Sequence, residues 1–506
     1  MAASSTWKAL TSPDGSENPS AGSELALGPS KGQALPACVK RHHIHVTGIV
    51  QGVGFRPFVY NLALQHTLAG WVCNTSDGVD IEVQGRPEQL TAFAAALERQ
   101  APPLARIERV EVIEVAPNGD RDFIIRPSVV RAGTSLVSPD VATCPACLSE
   151  LFDPADRRFG YPFTNCTHCG PRYTIITAMP YDRPSTTMRV FPMCPECQAE
   201  YEDPSNRRFH AQPNACPVCG PHVWFAHRPL PAAHRPSDDE AIAEAVRALR
   251  AGKTVAIKGL GGFHLACDAT NVAAVATLRR RKARPAKPFA VMMATLDEVQ
   301  QHCDISPEAE ALLTSPACPI VLLPWKANST IAPTVAPRSR TLGVMLPYTP
   351  LHHLLLRQVQ RPLVMTSGNR ADEPIAQTNE QAQANLSGLA DAFLLHNRDI
   401  HARCDDSVWF LSAGGPQPIR RSRGYIPDPL RLPWPVEKPV LAVGAELKNT
   451  FCLLKGDPGS QGQSLAFLSP HVGDLENLET LAFFEEALAH YRDLFQFEPQ
   501  VIAHDL

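Results

Sequence analysis

The sequence predicts a multidomain chain that joins α+β to α/β architecture, and three observations carry that expectation. Residues 42–115 run in the order strand, helix, strand, strand, helix, strand, the pattern of a small ferredoxin-like sandwich. Residues 144–219 repeat a frame of paired cysteines. Residues 238–423 alternate helix-like stretches with continuous apolar runs, as buried strands of an α/β sheet do. At 506 residues the chain exceeds the size of one core, so several domains and several sites are expected.

Composition narrows the class. With 44% hydrophobic and 19% charged residues and a net charge of -4, the chain reads as soluble and globular, and the balance argues against a dedicated nucleic-acid binder. No apolar run approaches the length a bilayer requires, and "MAASSTWKALTSPDG" lacks the apolar centre of a signal peptide, so no membrane association is expected and the cytoplasm is the simplest location. Fifteen cysteines would suit disulfides in a secreted chain, but eight form four C-x-x-C pairs and the total is odd, which favours metal-bound thiolates.

In chain order, residues 1–37 are rich in Ser, Gly, Pro and Ala without periodicity and read as a disordered tail. A first domain is expected over 38–130: strand "HHIHVTGIV", helix Phe55 to Leu68, strands "GWVCNTS" and "GVDIEVQG" meeting at Asp77-Gly78, helix Glu88 to Arg99, and strand "IERVEVIEV". The cysteine module follows over 131–236, with fingers at 144–169 and 194–219, then an α/β domain over 237–430 and a last segment over 431–506. Proline-rich stretches starting at 126, 220 and 424 read as boundary loops.

The first candidate site is "VQGVGFR", residues 50–56. It lies between a strand and a helix, where outward backbone N–H groups and the helix dipole favour an anion. Gly52 and Gly54 let the backbone of Gln51, Gly52, Val53, Gly54 and Phe55 approach a phosphate, and Arg56 adds a forked permanent charge. A Gly-x-Gly step is also found in ordinary tight turns; what favours the anion reading is Asn74 on the adjacent strand, an amide able to hold a water. These residues resemble the acylphosphatase family, whose signature "GIVQGVGFRPFVYNLA" and "GWVCNTSDGVDIEVQG" match. The resemblance implies that Arg56 binds the phosphate of an acyl phosphate and that Asn74 orients the attacking water, a reaction that relies on positioning and charge.

In the second, "TCPACLSELFDPADRRFGYPFTNCTHCGPR" and "MCPECQAEYEDPSNRRFHAQPNACPVCGPH" align at an offset of 50, each with two C-x2-C pairs separated by 18 residues. Cys144, Cys147, Cys166, Cys169, Cys194, Cys197, Cys216 and Cys219 make two four-sulfur sites of the closed structural zinc type. A redox role suits a duplicated frame poorly. One zinc per repeat is favoured, although a cross-brace would use the same cysteines; His168, His210 and His222 are bystanders because sulfur fills both tetrahedra.

The third is cationic: "LRRRKARPAKPFAVM" from 278, "LVMTSGNRADEPI" from 363, "CDDSV" from 404 and "IRRSRGYIP" from 419 suggest a phosphate or nucleotide pocket, with hydroxyls and free amides at "TSGN". On charge alone, a solvated basic helix end fits equally. These segments resemble the YrdC-like family of ATP-dependent domains that form carbamoyl-adenylate. The resemblance implies nucleotide binding by Lys258, Lys282, Arg284, Lys287, Thr366, Ser367, Gly368, Asn369, Arg421 and Arg423, with ATP as a substrate and magnesium beside it.

The three blocks in this order resemble the carbamoyltransferase HypF family of nickel-iron hydrogenase maturation, from about residue 41 onward. That resemblance implies hydrolysis of carbamoyl phosphate to carbamate, joining of carbamate to AMP from ATP, and transfer to the C-terminal cysteine of the partner HypE on the route to the cyanide ligands of the iron. Because carbamate decomposes in water, the two pockets on one zinc-braced frame are expected to share an enclosed chamber. The last segment resembles only the start of the family's C-terminal transferase domain. Lys448, Asn449, His471 and Asp474 match family positions, but the later histidine-rich metal motif has no counterpart. The expectation is therefore a partial domain, an exposed sheet edge, and loss of the transfer step. A tRNA-modifying enzyme is the rival reading, because YrdC-like domains also serve threonylcarbamoyl transfer; a third reading makes the zinc repeats a protein-docking module. His42, His43 and His45 are expected to be strand surface. Cys38, Cys73, Cys267, Cys303, Cys318, Cys404 and Cys452 are expected to be small buried residues.

Overall fold

The structure, a computed structural model, describes residues 39–129, 136–227, 237–457 and 462–505. The stretch read as a disordered tail, and Cys38 with it, lies outside the described residues.

The N-terminal block folds as β1 (Lys40–Ile49), α1 (Phe55–Gln65), β2 (Ala69–Thr75), β3 (Gly78–Gly85), α2 (Pro87–Arg99), β4 (Arg106–Val115) and β5 (Phe123–Ile125). The sheet order is β4-β1-β3-β2-β5. Alternation puts Ile44, Val46, Val72, Ile81 and Val83 beneath the two helices, where they pack with Phe55, Val59, Leu62 and Phe93. Two details differ from expectation. Helix α1 stops at Gln65 because Thr67 turns left-handed (φ 53°) and Leu68 bonds back to Ala63. The short strand β5, parallel to β2, adds a fifth strand that three residues announce too weakly to be read.

In the cysteine module the two repeats fold alike. Helices α3 (Pro145–Phe152) and α4 (Pro195–Glu202) each start one residue after the first cysteine, with proline at the first helical position, where its missing N–H costs nothing.

Ten strands form the large sheet. They are β6 (Val223–His227), β7 (Val255–Lys258), β8 (Phe263–Asp268), β9 (Ala290–Met292), β10 (Ile320–Pro324), β11 (Thr341–Met345), β12 (Leu363–Ser367), β13 (Ala392–His396), β14 (Val408–Ser412) and β15 (Gly415–Arg420). Their order is β15-β14-β10-β11-β9-β12-β8-β7-β13-β6, and the ladders are mixed in direction. The expected helix near 239 is present over Asp238–Arg250, capped by Ser237 and Glu240 reciprocally. Strand β6 lies ahead of the boundary placed at 237: it pairs antiparallel with β13, so the end of the cysteine module is woven into the large sheet.

The last segment builds a five-stranded sheet in the order β16-β19-β18-β17-β20, from β16 (Leu430–Leu432), β17 (Val440–Ala442), β18 (Cys452–Gly456), β19 (Ser464–Leu468) and β20 (Val501–Ala503). The helix Leu478–Phe495 covers it through Phe483, Tyr491 and Phe495. Strand β16 falls within a stretch expected to be a loop, and β20 leaves Val501 and Ile502 exposed at the sheet edge.

Candidate functional site

The glycine-rich turn and the cysteine module line one small cavity. Its lining includes Gln51, Gly52, Gly54, Phe55, Arg56 and Asn74 from the first domain. Thr167, Arg172, Tyr181, His210 and Gln212 come from the cysteine module. Gly52 (φ 71°) and Gly54 (φ 77°) both occupy left-handed backbone, and a β-carbon would lie 3.2 Å from Tyr181 at the first and 3.3 Å from Thr167 at the second. The turn is glycine both for its own shape and because a second domain is pressed against it. Arg56 is buried at the start of α1; its Nη2 donates to Asp182 Oδ1 (2.8 Å) and its Nη1 to Ser128 Oγ (3.4 Å). Asn74 is buried on β2, and its Oδ1 has no hydrogen-bond partner. Arg56, Asn74 and the Gln51–Phe55 turn are thus brought together, with Val53 turned into the core.

His210 lies outside both cysteine clusters and lines this cavity. Burial, with the nearby Arg56 charge, lowers its pKa to about 4 and keeps the imidazole neutral. His168 lies at the same turn, 3.6 Å from where a Gly54 β-carbon would sit, while His222 pairs with Asp238 elsewhere.

The eight cysteines form two clusters, Cys144, Cys147, Cys166 and Cys169, and Cys194, Cys197, Cys216 and Cys219, with the sulfurs of each set within 4.8 Å of one another. Each set comes from a single repeat, not from an interleaved brace. A tetrahedral zinc with bonds of about 2.3 Å needs sulfurs about 3.8 Å apart. Neighbouring Sγ atoms lie 3.7 Å (Cys144 and Cys166), 3.9 Å (Cys166 and Cys169) and 3.7 Å (Cys194 and Cys216) apart, so the residues fit that ion.

An arginine exchange between repeats went unread in the sequence. Arg207 of the second repeat donates to Cys147 Sγ (2.6 Å) of the first cluster, and Arg157 of the first donates to Cys197 Sγ (3.0 Å) of the second. Their neighbours repeat the swap: Arg208 pairs with Glu150, and Arg158 Nη1 with Glu200 Oε1 (2.9 Å). The signal was present, as "RRF" stands in both copies. Positive charge beside four thiolates stabilises the deprotonated, metal-binding form.

A second, larger site lies between the ten-stranded sheet and the last segment. Two adjoining cavities share the walls Arg284, Lys287, Ser367, Asp405 and Arg420. The inner one has an apolar floor including Phe289, Leu322 and Met365, and the outer reaches Lys448, His471 and Asp474. Lys282 donates to the Ser367 carbonyl (2.7 Å), the Asn369 carbonyl (2.8 Å) and Asn369 Oδ1 (2.7 Å), which uses all three of its N–H bonds. Burial and the neighbouring Arg284 lower its pKa to about 7. Burial likewise brings Arg284 to about 10, and it donates to Thr366 Oγ1 (3.3 Å).

Four expected nucleotide ligands are placed differently. Arg423 is fully buried, with Nε on Asp406 Oδ1 (2.7 Å) and its Nη atoms on the Ala317 and Cys318 carbonyls (2.8 and 2.9 Å). Arg421 donates to the Asp428 carbonyl, so the segment's cavity-facing arginine is Arg420. Lys258 donates to the His396 carbonyl (3.1 Å) from within the sheet. The expected free amide of Gly368 is bonded to the Phe263 carbonyl (2.7 Å). Asn449 likewise turns its amide onto the Val443 and Ala445 carbonyls (2.8 and 2.7 Å). His42, His43 and His45, expected to be strand surface, are half-buried, and His45 contacts the buried Asp80 (2.6 Å). Cys73, Cys267, Cys303, Cys318 and Cys404 are buried, and Cys452 is half-buried. Among the described residues no helix is long and apolar enough to cross a membrane.

Comparison with known proteins matches this layout. Residues 42–125 fit the acylphosphatase family, 143–176 and 193–226 the HypF finger, 247–422 the family described as "Telomere recombination", which groups Sua5, YciO and YrdC, and 435–506 the HypF Kae1-like domain. The carbamoyltransferase HypF of Synechocystis sp. is 50% identical over 463 residues, covering 92% of this chain and 59% of the relative. The chain is similar to HypF along nearly its whole length. That of Rhodobacter capsulatus is 49% identical over 92% of this chain and 60% of its own length. A full-length HypF solved in a phosphate- and nucleotide-bound form superposes with a TM-score of 0.88 at 48% identity, over 94% of this chain and 61% of that one. The HypF of T. kodakarensis gives 0.85 at 45% identity, over 92% of this chain and 59% of that one. The chain therefore spans about six-tenths of the length of the HypF proteins it matches.

Proposed function

We propose that the chain is a carbamoyltransferase of the HypF type, which hydrolyses carbamoyl phosphate at the glycine-rich turn and forms carbamoyl-adenylate from ATP in the larger cavity. The observation that carries the reading is the presence, in one chain, of a small cavity joining Arg56, Asn74 and the glycine-rich turn and a separate cationic cavity around Arg284, Lys287 and Arg420.

In the cradle, Arg56 and the Gln51–Phe55 turn hold the phosphoryl group, and Asn74 Oδ1 accepts a hydrogen bond from the attacking water. The water oxygen joins phosphorus while the bridging P–O bond breaks. The electron pair of that bond stays on the carbamate oxygen, and the water's proton ends on inorganic phosphate. In the larger cavity the apolar floor suits a base and the cationic rim suits phosphates, whose charge a magnesium ion brought with ATP would share; a carbamate oxygen displaces pyrophosphate at the α-phosphorus, and the electron pair of the broken P–O bond leaves on pyrophosphate. The acceptor of the carbamoyl group is the C-terminal cysteine of HypE, on the route to the cyanide ligands of the hydrogenase iron. Zinc in both four-cysteine sites is structural, because four thiolates leave no position for water. No nucleic-acid or membrane partner is part of the reading, and the cytoplasm is the proposed location.

The test is exchange of labelled pyrophosphate into ATP. Exchange that requires both carbamoyl phosphate and Arg56 supports the coupled two-site reading; exchange indifferent to carbamoyl phosphate refutes it.

A further inference from the structure

The two cysteine repeats align residue for residue through "RRFG" and "RRFH", which sets His210 opposite Gly160. Both residues have left-handed backbone, at φ 69° for Gly160 and φ 54° for His210. Glycine enters that region freely and a β-carbon disfavours it, so the second repeat holds a strained conformation at the position where the first has the relaxed residue. The histidine is not there for the turn.

Its surroundings say what it is there for. The His210 ring is fixed between Tyr201 and Phe209, with ring centroids 4.8 Å away on each side, and it lines the cavity that holds Arg56. Its Nδ1 is buried without a hydrogen-bond partner. So are the Tyr181 hydroxyl and Asn74 Oδ1, which belong to residues lining the same cavity. Buried polar atoms are nearly always bonded, and three orphans around one small cavity mark the outline of an absent polar ligand. Asn74 accounts for the water. The other two atoms remain, and both come from the cysteine module, which a free-standing acylphosphatase fold does not contain.

We propose that His210 and Tyr181 are specificity-determining residues for the acyl end of the substrate, confining hydrolysis to acyl phosphates whose acyl group is very small and carries an N–H donor. The inference rests on the reading of the cradle as an acyl-phosphate hydrolase. A neutral imidazole offers an acceptor nitrogen, and the hydroxyl both donates and accepts, so together they satisfy the N–H bonds and the carbonyl of a carbamoyl group. Acetyl phosphate has nearly the same size but presents a methyl group where the carbamoyl group presents N–H bonds. It therefore leaves the two protein atoms unbonded, the situation in which polar pockets discriminate most strongly. An aromatic acyl group is excluded by size, because the same wall closes over the turn.

The experiment measures kcat/KM for phosphate release from carbamoyl, acetyl and benzoyl phosphate by the full chain and by His210→Gly, Tyr181→Phe and Arg56→Ala. His210→Gly installs the residue of the first repeat, and Tyr181→Phe removes one oxygen, so the second still answers if the first does not fold. The expected result is a carbamoyl-to-acetyl ratio that falls by about 10- to 100-fold in each variant, with benzoyl phosphate turnover appearing in His210→Gly. A wild-type chain without preference for carbamoyl over acetyl phosphate, or a ratio preserved in both variants, overturns the inference while Arg56-dependent hydrolysis leaves the cradle reading standing. Hydrolysis that persists in Arg56→Ala overturns both.

Discussion

Lys282 offers a sharp test of the larger cavity. Lys282 is buried, 4% exposed, near Arg284 and Lys287, and burial followed by Arg284 brings its pKa to about 7. A lysine with a lowered pKa binds its proton less tightly in the fold than in the unfolded chain, so this group makes stability rise with pH between about 7 and its ordinary value near 10.4. A bound polyphosphate acts in the opposite direction. It neutralises the charges of Arg284 and Lys287 and favours the ammonium, moving the pKa up by about 2 units. At pH 8 the free site then carries about 0.1 proton and the occupied one about 0.9, so binding takes up about 0.8 proton; at pH 6 the uptake is about 0.1. Calorimetric titration with ATP in two buffers of different ionisation heat reads this difference directly. Affinity falls as pH rises through 7–9, by about sixfold per unit at its steepest. Proton uptake below about 0.2 at pH 8, or uptake unchanged in Lys282→Met, would refute the placement of the phosphates beside this lysine.

The other predictions concern the cradle and the metal sites. Arg56→Lys keeps the charge but loses the fork that serves Asp182 and the phosphate, and is expected to lower kcat/KM for acyl phosphate hydrolysis by about 10²-fold or more in a phosphate-release assay. Arg207→Gln removes the donor to Cys147 and Cys144 and should weaken zinc at the first cluster alone, by about 10- to 100-fold, seen as one of two ions released early in a chelator titration. Glu150→Gln withdraws the carboxylate shared by Arg207 and buried Arg208, and denaturant unfolding should register a loss of about 1–3 kcal/mol. Removing both zinc ions should abolish acyl phosphate turnover even though no cysteine lines the cradle; activity that survives complete removal would show that the module does not position the site.

What the sequence disclosed and what it concealed divide along physical lines. The βαββαβ order was readable because each element is long enough to repeat its pattern, and β5 was not because three residues carry no period. Spacing within each repeat favoured one metal site per repeat but fitted a cross-brace too, and it is the folded geometry that separates the two. Arg420, the last residue of β15, lines the cavity, whereas Arg421 and Arg423 just beyond it bond to Asp428 and Asp406. The composition of such a segment reveals that cations are present but not which one faces the cavity. Tyr181 and His210 are separated from Arg56 by more than a hundred positions, and only tertiary packing brings them together. Even so, the mismatch of His210 with Gly160 in otherwise parallel repeats was visible in the sequence.

That packing gives the metal sites a function beyond holding their own loops. Arg172, fully buried, donates from its Nη atoms to the carbonyls of Cys169 (3.1 Å), Pro171 (2.8 Å) and Thr167 (2.9 Å), and from Nε to the carbonyl of Gly52 (2.5 Å). A single guanidinium thus ties the backbone of a metal-binding knuckle to the backbone of the phosphate turn. Asp140 holds the Arg172 backbone N–H (2.7 Å), fixing where the side chain starts. The turn needs two left-handed glycines, and such a backbone has many alternatives when nothing restrains it. A zinc-braced loop bonded to its carbonyl removes those alternatives before any substrate arrives. Under the proposed function, zinc at this site would act on the phosphoryl chemistry from outside the cavity, by setting the shape of a turn whose N–H groups must already be aimed when the anion enters.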